Sequence, residues 1–96
     1  MTNYELSKKA ESDITGILEY SYKEFGEKTA LDYYLSLKKT FALLSEQPQI
    51  GRDIKNIRAG YFCHEHAKHT IFYSLKENSI LIIRVLHQNM DFERHL

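Results

Sequence analysis

The sequence predicts an α+β fold in the order β-α-α-β-β-β, an antiparallel sheet with a helical hairpin packed on one face. Two observations carry that prediction. Late in the chain, His69 to Leu75 and Ile80 to Leu86 are rich in β-branched, aromatic and aliphatic residues and flank the polar turn Lys76 to Ser79, the pattern of a β-hairpin. Earlier, two long stretches repeat apolar residues at spacings of three and four with little more than Gly26 between them, the pattern of two antiparallel helices. At 96 residues the chain is expected to form one domain spanning residues 1–96.

Asn3 to Leu6 alternates in polarity and precedes Ser7, a favourable N-cap, so a short strand leads into a helix. In that helix Ala10, Ile14, Ile17, Leu18, Ser21 and Phe25 form the inward stripe, with Lys9, Asp13, Glu19 and Lys23 outward and Gly26 at the end. The second helix runs from about Glu27 to Gln47 on Ala30, Tyr34, Leu37, Phe41 and Leu44, and Pro48 closes it. Gln49 to Asn56 lacks periodicity and reads as a loop. Ile57 to His66 reads as a strand with Gly60 at a bulge or close approach, and Ala67-Lys68 turns it into the hairpin.

Strict alternation places Ile71, Tyr73 and Leu75 on one face of the hairpin and Thr70 and Phe72 on the other. In the last strand it sets Ile80, Ile82 and Leu86 against Leu81, Ile83 and Val85. Both faces are therefore apolar, and both must be covered. The helices cover one; the residues after Leu86 or a partner protein must cover the other.

Thirteen basic residues balance thirteen acidic ones, which argues against a sequence-independent grip on a nucleic-acid backbone, so no direct nucleic-acid binding is expected. Cys63 is the only cysteine, and neither a signal-peptide pattern nor a long apolar span is present. The expectation is a soluble cytoplasmic protein without a membrane role. Seven Tyr and five Phe form a large aromatic set for this length, pointing some rings toward an interface.

Taken in order, Tyr4-Glu5-Leu6-Ser7, Ala10, Asp13-Ile14, Phe25-Gly26, Pro48, Gly51-Arg52, Arg58-Ala59-Gly60, His69-Thr70-Ile71-Phe72-Tyr73, Arg84-Val85-Leu86-His87 and Met90-Asp91 form a spaced set. Through these pieces nearly the whole chain resembles the ParE-type toxins of type II toxin-antitoxin systems, in the RelE/ParE superfamily. The resemblance implies a growth-arresting toxin that binds DNA gyrase and stalls it with its DNA cleaved. It also implies a cognate ParD-type antitoxin, hence a hetero-oligomer. The chain departs from many family members in carrying Tyr61, Phe62 and Cys63 after Gly60, and Ser74, where arginines are common.

The RelE branch cuts messenger RNA, a reaction that needs an acid or base near the 2′-hydroxyl and cations for the phosphorane. Arg58, Lys68, Arg84 and His87 are the candidates for that alternative. In a regular strand, however, Arg84 and His87 point to opposite faces and meet only if the chain bends at Leu86. No catalytic set is therefore assigned. The gyrase contact is placed on the tail from His87, with Met90, Asp91, Phe92 and Arg94, where Met90 and Phe92 also anchor the tail on the sheet. Tyr20, Tyr22 and Tyr33 lie off the main apolar stripes and are the rings an amphipathic antitoxin segment would cover.

His64, Glu65, His66 and His69 have the look of a metal cluster, but their place at an exposed hairpin end favours solvated histidines, and neither metal nor cofactor is expected. Cys63 reads as a small buried apolar residue, since no activating partner is evident.

Overall fold

The computed structural model describes residues 3–96. Strand β1 (Tyr4–Leu6) leads into α1 (Lys8–Phe25) and α2 (Glu27–Glu46). Then come a 3-10 turn (Pro48–Ile50), β2 (Arg52–Asp53), β3 (Tyr61–His66), β4 (His69–Leu75), β5 (Ile80–His87) and the short α3 (Phe92–His95). The strands form one sheet in the order β1-β5-β4-β3-β2. Strands β2 to β5 pair antiparallel, and β1 lies parallel to β5 with Tyr4 opposite Ile80.

Ser7 explains how strand passes to helix. Its Oγ accepts the Ala10 N–H at 3.0 Å, capping α1, and donates to the Ile83 carbonyl at 2.7 Å, tying the cap to β5. At the other end of α1, Gly26 takes φ 92° and ψ 174°, a backbone region essentially closed to residues with a Cβ, and so reverses the chain in one residue. Helix α2 stops at Gln47, whose N–H reaches the Leu43 carbonyl, because Pro48 has no N–H to carry the ladder on.

The core has two layers, one on each side of the sheet. Ala10, Ile14, Leu37, Phe41 and Leu44 of the helices pack on Ile71, Tyr73, Ile80, Ile82 and Val85. Across the sheet, Ile54, Cys63, Phe72 and Leu86 form a second cluster, closed over by Ile57, Tyr61, Ile83, Phe92 and Leu96. The predicted need for cover on both faces is met within the chain.

Several details depart from the sequence reading. Alternation in β5 breaks at Ile83: Phe72 pairs with Arg84 and Tyr73 with Ile82, leaving Ile83 as an extra residue, a β-bulge. Beyond it the faces exchange. Val85 joins Ile80 and Ile82 beneath the helices, and Leu86 joins Ile83 on the far side, the reverse of strict alternation. Gly60, expected at a bulge or a close backbone approach, sits instead in an open turn at φ 82°, and β3 begins at Tyr61 rather than Ile57. That turn is closed by the Tyr61 N–H, which donates to the Arg58 carbonyl at 3.2 Å, and the turn before it by the Ile57 and Arg58 N–H groups, which share the Ile54 carbonyl.

The stretch read as a loop contributes the 3-10 turn and β2, whose two residues pair with Cys63 and Phe62 of β3. Two residues are too few for a period to show. Finally, the helical hairpin overshoots the sheet, so Phe25, placed on the inward stripe, is 64% exposed.

Candidate functional site

An open groove of about 780 Å³ runs between the outer half of α1, the start of α2, the β3–β4 turn and the end of β5. Its apolar wall is Ile17, Tyr20, Phe25 and Val85, and its polar end is Lys68, His69 and His87. The far end of the hairpin creates the wall: Ile17, Leu18 and Tyr33 still border the core, while Tyr20 and Phe25 beyond them are exposed. Tyr20 and Phe25 meet edge to face, ring centroids 6.4 Å apart, and Tyr20 is 62% exposed.

The polar end is ordered by Tyr33, whose hydroxyl lies 2.6 Å from His69 Nδ1. Burial raises the Tyr33 phenol to about 12, so it stays protonated. His69 pairs across the strands with His87, their rings edge to face at 5.5 Å. Burial lowers the His69 pKa first, and the nearby charges of His87 and His66 lower it further.

His66 is not the solvated residue expected at a hairpin tip, because α2 lies against it. Its Nε2 is 3.0 Å from Ser36 Oγ and its Nδ1 is 3.1 Å from Thr40 Oγ1. The Ser36 hydroxyl already donates to the Tyr33 carbonyl, so it must accept from Nε2–H, and Thr40 then donates to Nδ1. This is the neutral imidazole, consistent with a pKa lowered by burial and by His64. Among the described residues no three His, Cys, Asp or Glu side chains converge as metal ligands. Cys63 is buried under the far-side cluster, and that burial raises its thiol pKa.

Arg84 and Asp13 form the other ordered feature. Arg84 Nε and Nη2 each lie 2.8 Å from one oxygen of the Asp13 carboxylate, a two-pronged pair with side chains only 15% and 14% exposed. The same carboxylate accepts the Val85 N–H at 3.0 Å, and Arg84 Nη1 donates to the His95 carbonyl at 3.0 Å. Hydrogen bonding to Asp13 pushes the Arg84 pKa further up. Asp13 was read as an outward residue of α1. It instead faces β5: past the bulge, Arg84 lies on the border of β5 beyond β1, within reach of Asp13 on α1 and of the His95 carbonyl on α3.

The four residues of the nuclease alternative do not share a hollow. Lys68 and His87 line the groove, Arg84 is locked to Asp13, and Arg58 sits over the Tyr61 ring, donating to the Leu96 carbonyl at 2.7 Å. No bend at Leu86 joins Arg84 to His87.

In the tail, Phe92 packs edge on Phe72 at 4.8 Å, and Asp91 caps α3 through the Glu93 N–H. Met90, read as a second anchor, lies instead in the groove and is exposed, because the turn after His87 directs it to the helix side. Asp91 and Arg94 are exposed. Of the tyrosines, Tyr20 and Tyr33 line the groove while Tyr22 stands outside it, 60% exposed. Sequence reasoning missed Asp13, Phe25 and Val85 as groove residues; only the bulge and the overshoot place them there.

No helix among the described residues is long and apolar enough to cross a membrane. Residues 4–92 match the family described as the ParE toxin of the type II toxin-antitoxin system parDE. Toxin ParE1 of Caulobacter vibrioides is 38% identical over 96 residues, covering 100% of this chain and 99% of the relative. Toxin ParE1 of Mycobacterium tuberculosis is 34% identical, covering 99% of this chain and 98% of the relative. A solved structure described as the chromosomal ParDE TA system from P. aeruginosa superposes with a TM-score of 0.75 at 18% identity, over 91% of this chain and 96% of that one, a likeness of fold. By sequence over nearly its full length, this chain belongs to the ParE toxin family of type II toxin-antitoxin systems.

Proposed function

We propose that this toxin acts on DNA gyrase, holding it with its DNA cleaved, and that a ParD-type antitoxin silences it by filling the groove. The observation that carries the reading is the dispersal of the cationic and imidazole groups. A phosphodiester cut needs them around one phosphate, and here Arg84 is neutralised by Asp13 while Arg58 lies apart from the groove that Lys68 and His87 line. Action by docking fits what remains: an apolar groove on one side and an exposed tail beside it.

His87 and Met90 line the same hollow as Tyr20 and Tyr33. An amphipathic segment seated on the tyrosines therefore covers part of the tail's contact surface, and neutralisation follows from occlusion. The remaining contact residues are Asp91 and Arg94, with Phe92 fixing their place from beneath.

The test is a gyrase assay with supercoiled plasmid. Purified toxin is expected to accumulate cleaved DNA bound to gyrase, and preincubation with the antitoxin encoded beside it to abolish the effect. Unchanged gyrase activity at toxin levels that arrest growth would sink the reading, and cleaved ribosome-bound messenger RNA would put the nuclease in its place.

A further inference from the structure

The Arg84 guanidinium touches parts of the molecule that are far apart in sequence. It grips Asp13 of α1 with two hydrogen bonds and holds the His95 carbonyl of α3 with a third. It reaches both because the bulge at Ile83 sets it on the border of β5 beyond Leu6, where β1 has ended. Asp13 lines the groove, and α3 belongs to the tail.

From this geometry we infer that Arg84 is a positioning residue, oriented by Asp13, that fixes the tail on the sheet in the pose its target meets. The inference rests on the reading that the tail contacts gyrase. A four-residue helix cannot hold its own shape, since one turn closes too few hydrogen bonds to offset the ordering of its backbone. Its order must come from outside. Phe92 on Phe72 fixes its start and Leu96 packs on the same cluster; the hydrogen bonds that reach it from the rest of the chain are those of Arg84 to His95 and Arg58 to Leu96.

Arg84 is the more enclosed of these two, and its planar fork is already oriented by the carboxylate, so little freedom is lost in gripping the tail. Lysine offers one compact ammonium and cannot meet both Asp13 oxygens and His95 in this geometry. The pair therefore bridges α1 at one end and the contact surface at the other. Tail order reduces the entropy that docking must otherwise cost, which is how a positioning residue strengthens an interface it does not touch.

The test uses the full-length toxin, its Arg84→Gln and Arg84→Lys variants, and Asp13→Asn, which keeps the side-chain shape and an oxygen for the Val85 N–H. Two quantities are read: the amide 15N heteronuclear NOE at Arg94, His95 and Leu96, and the toxin concentration giving half-maximal gyrase cleavage. In Arg84→Gln the NOE is expected to drop from core-like values to those of a free chain end, while Ile71 and Phe72 keep theirs. The half-maximal concentration rises about tenfold, with Arg84→Lys between wild type and Arg84→Gln.

A tail NOE that stays with the core overturns the inference, as does a released tail acting on gyrase at full strength. Should Arg84→Gln fail to fold, Asp13→Asn decides by the same two readings. If wild-type toxin leaves gyrase untouched, the functional reading fails by itself, and the NOE still decides whether Arg84 holds the tail.

Discussion

At the scale of single residues, the histidines show how burial and partners replace composition as the guide to behaviour. His66 and His69 have pKa values below the usual imidazole value, with burial as the first cause. The unfolded chain therefore binds protons more readily than the folded one. Stability from this source is complete above about pH 6.5 and is lost as the pH falls through that value toward the folded pKa. Thermal unfolding between pH 7 and 5 should show a falling midpoint, and the His66→Gln, His69→Gln double variant a flatter profile. Equal slopes in the two proteins would refute the assignment. The pKa shifts were not legible in the sequence, because Ser36, Thr40 and Tyr33 lie some thirty positions away on a helix whose rotation only the packing fixes. Gly51 is a second such residue: a Cβ there would fall inside the Tyr73 hydroxyl, which donates to the Pro48 carbonyl at 2.6 Å. Gly51→Ala is expected to cost about 2 kcal/mol in urea unfolding, and Tyr73→Phe about 1 kcal/mol. A neutral Gly51→Ala would mean that the turn yields at no cost.

At the scale of elements, periodicity made the helices and the central hairpin plain, since Leu37, Phe41 and Leu44 or Ile71 and Tyr73 repeat at the period their backbone demands. It failed where the backbone left its period. One added residue at Ile83 exchanges the faces of Val85 and Leu86 and brings Arg84 to Asp13, and nothing in a run of aliphatic side chains marks which residue is extra. The two residues of β2 fail for a related reason, as their strand character lies in hydrogen bonds to β3 alone. Gly26, by contrast, was legible, and its φ of 92° makes it testable. Gly26→Ala is expected to lower stability by about 1–3 kcal/mol, because the reversal leaves no room to relax into a conformation that alanine tolerates. The denaturant midpoint measures it; an unchanged midpoint would show that the helices reverse equally well another way.

At the scale of the whole molecule, a single sheet carries two unequal cores, one roofed by long helices and the other by a turn and the tail. The second is the weaker. Phe92→Ala removes the ring that covers Phe72, and since Phe92 is only half-buried the expected loss is about 2 kcal/mol, less than a fully enclosed ring would give. A loss below a few tenths would mean that the tail is not part of the fold. The groove was legible only as a surplus of aromatic rings, because its walls come from the mismatch in length between the hairpin and the sheet. The border of β5 beyond β1 has its own consequence. There the Val85 N–H is already engaged by the Asp13 carboxylate, and the Arg84 side chain lies across the path of an incoming strand. A stray chain finds no free donor at Val85 to template on, so strand addition at that margin is disfavoured and one route to self-polymerisation is blunted.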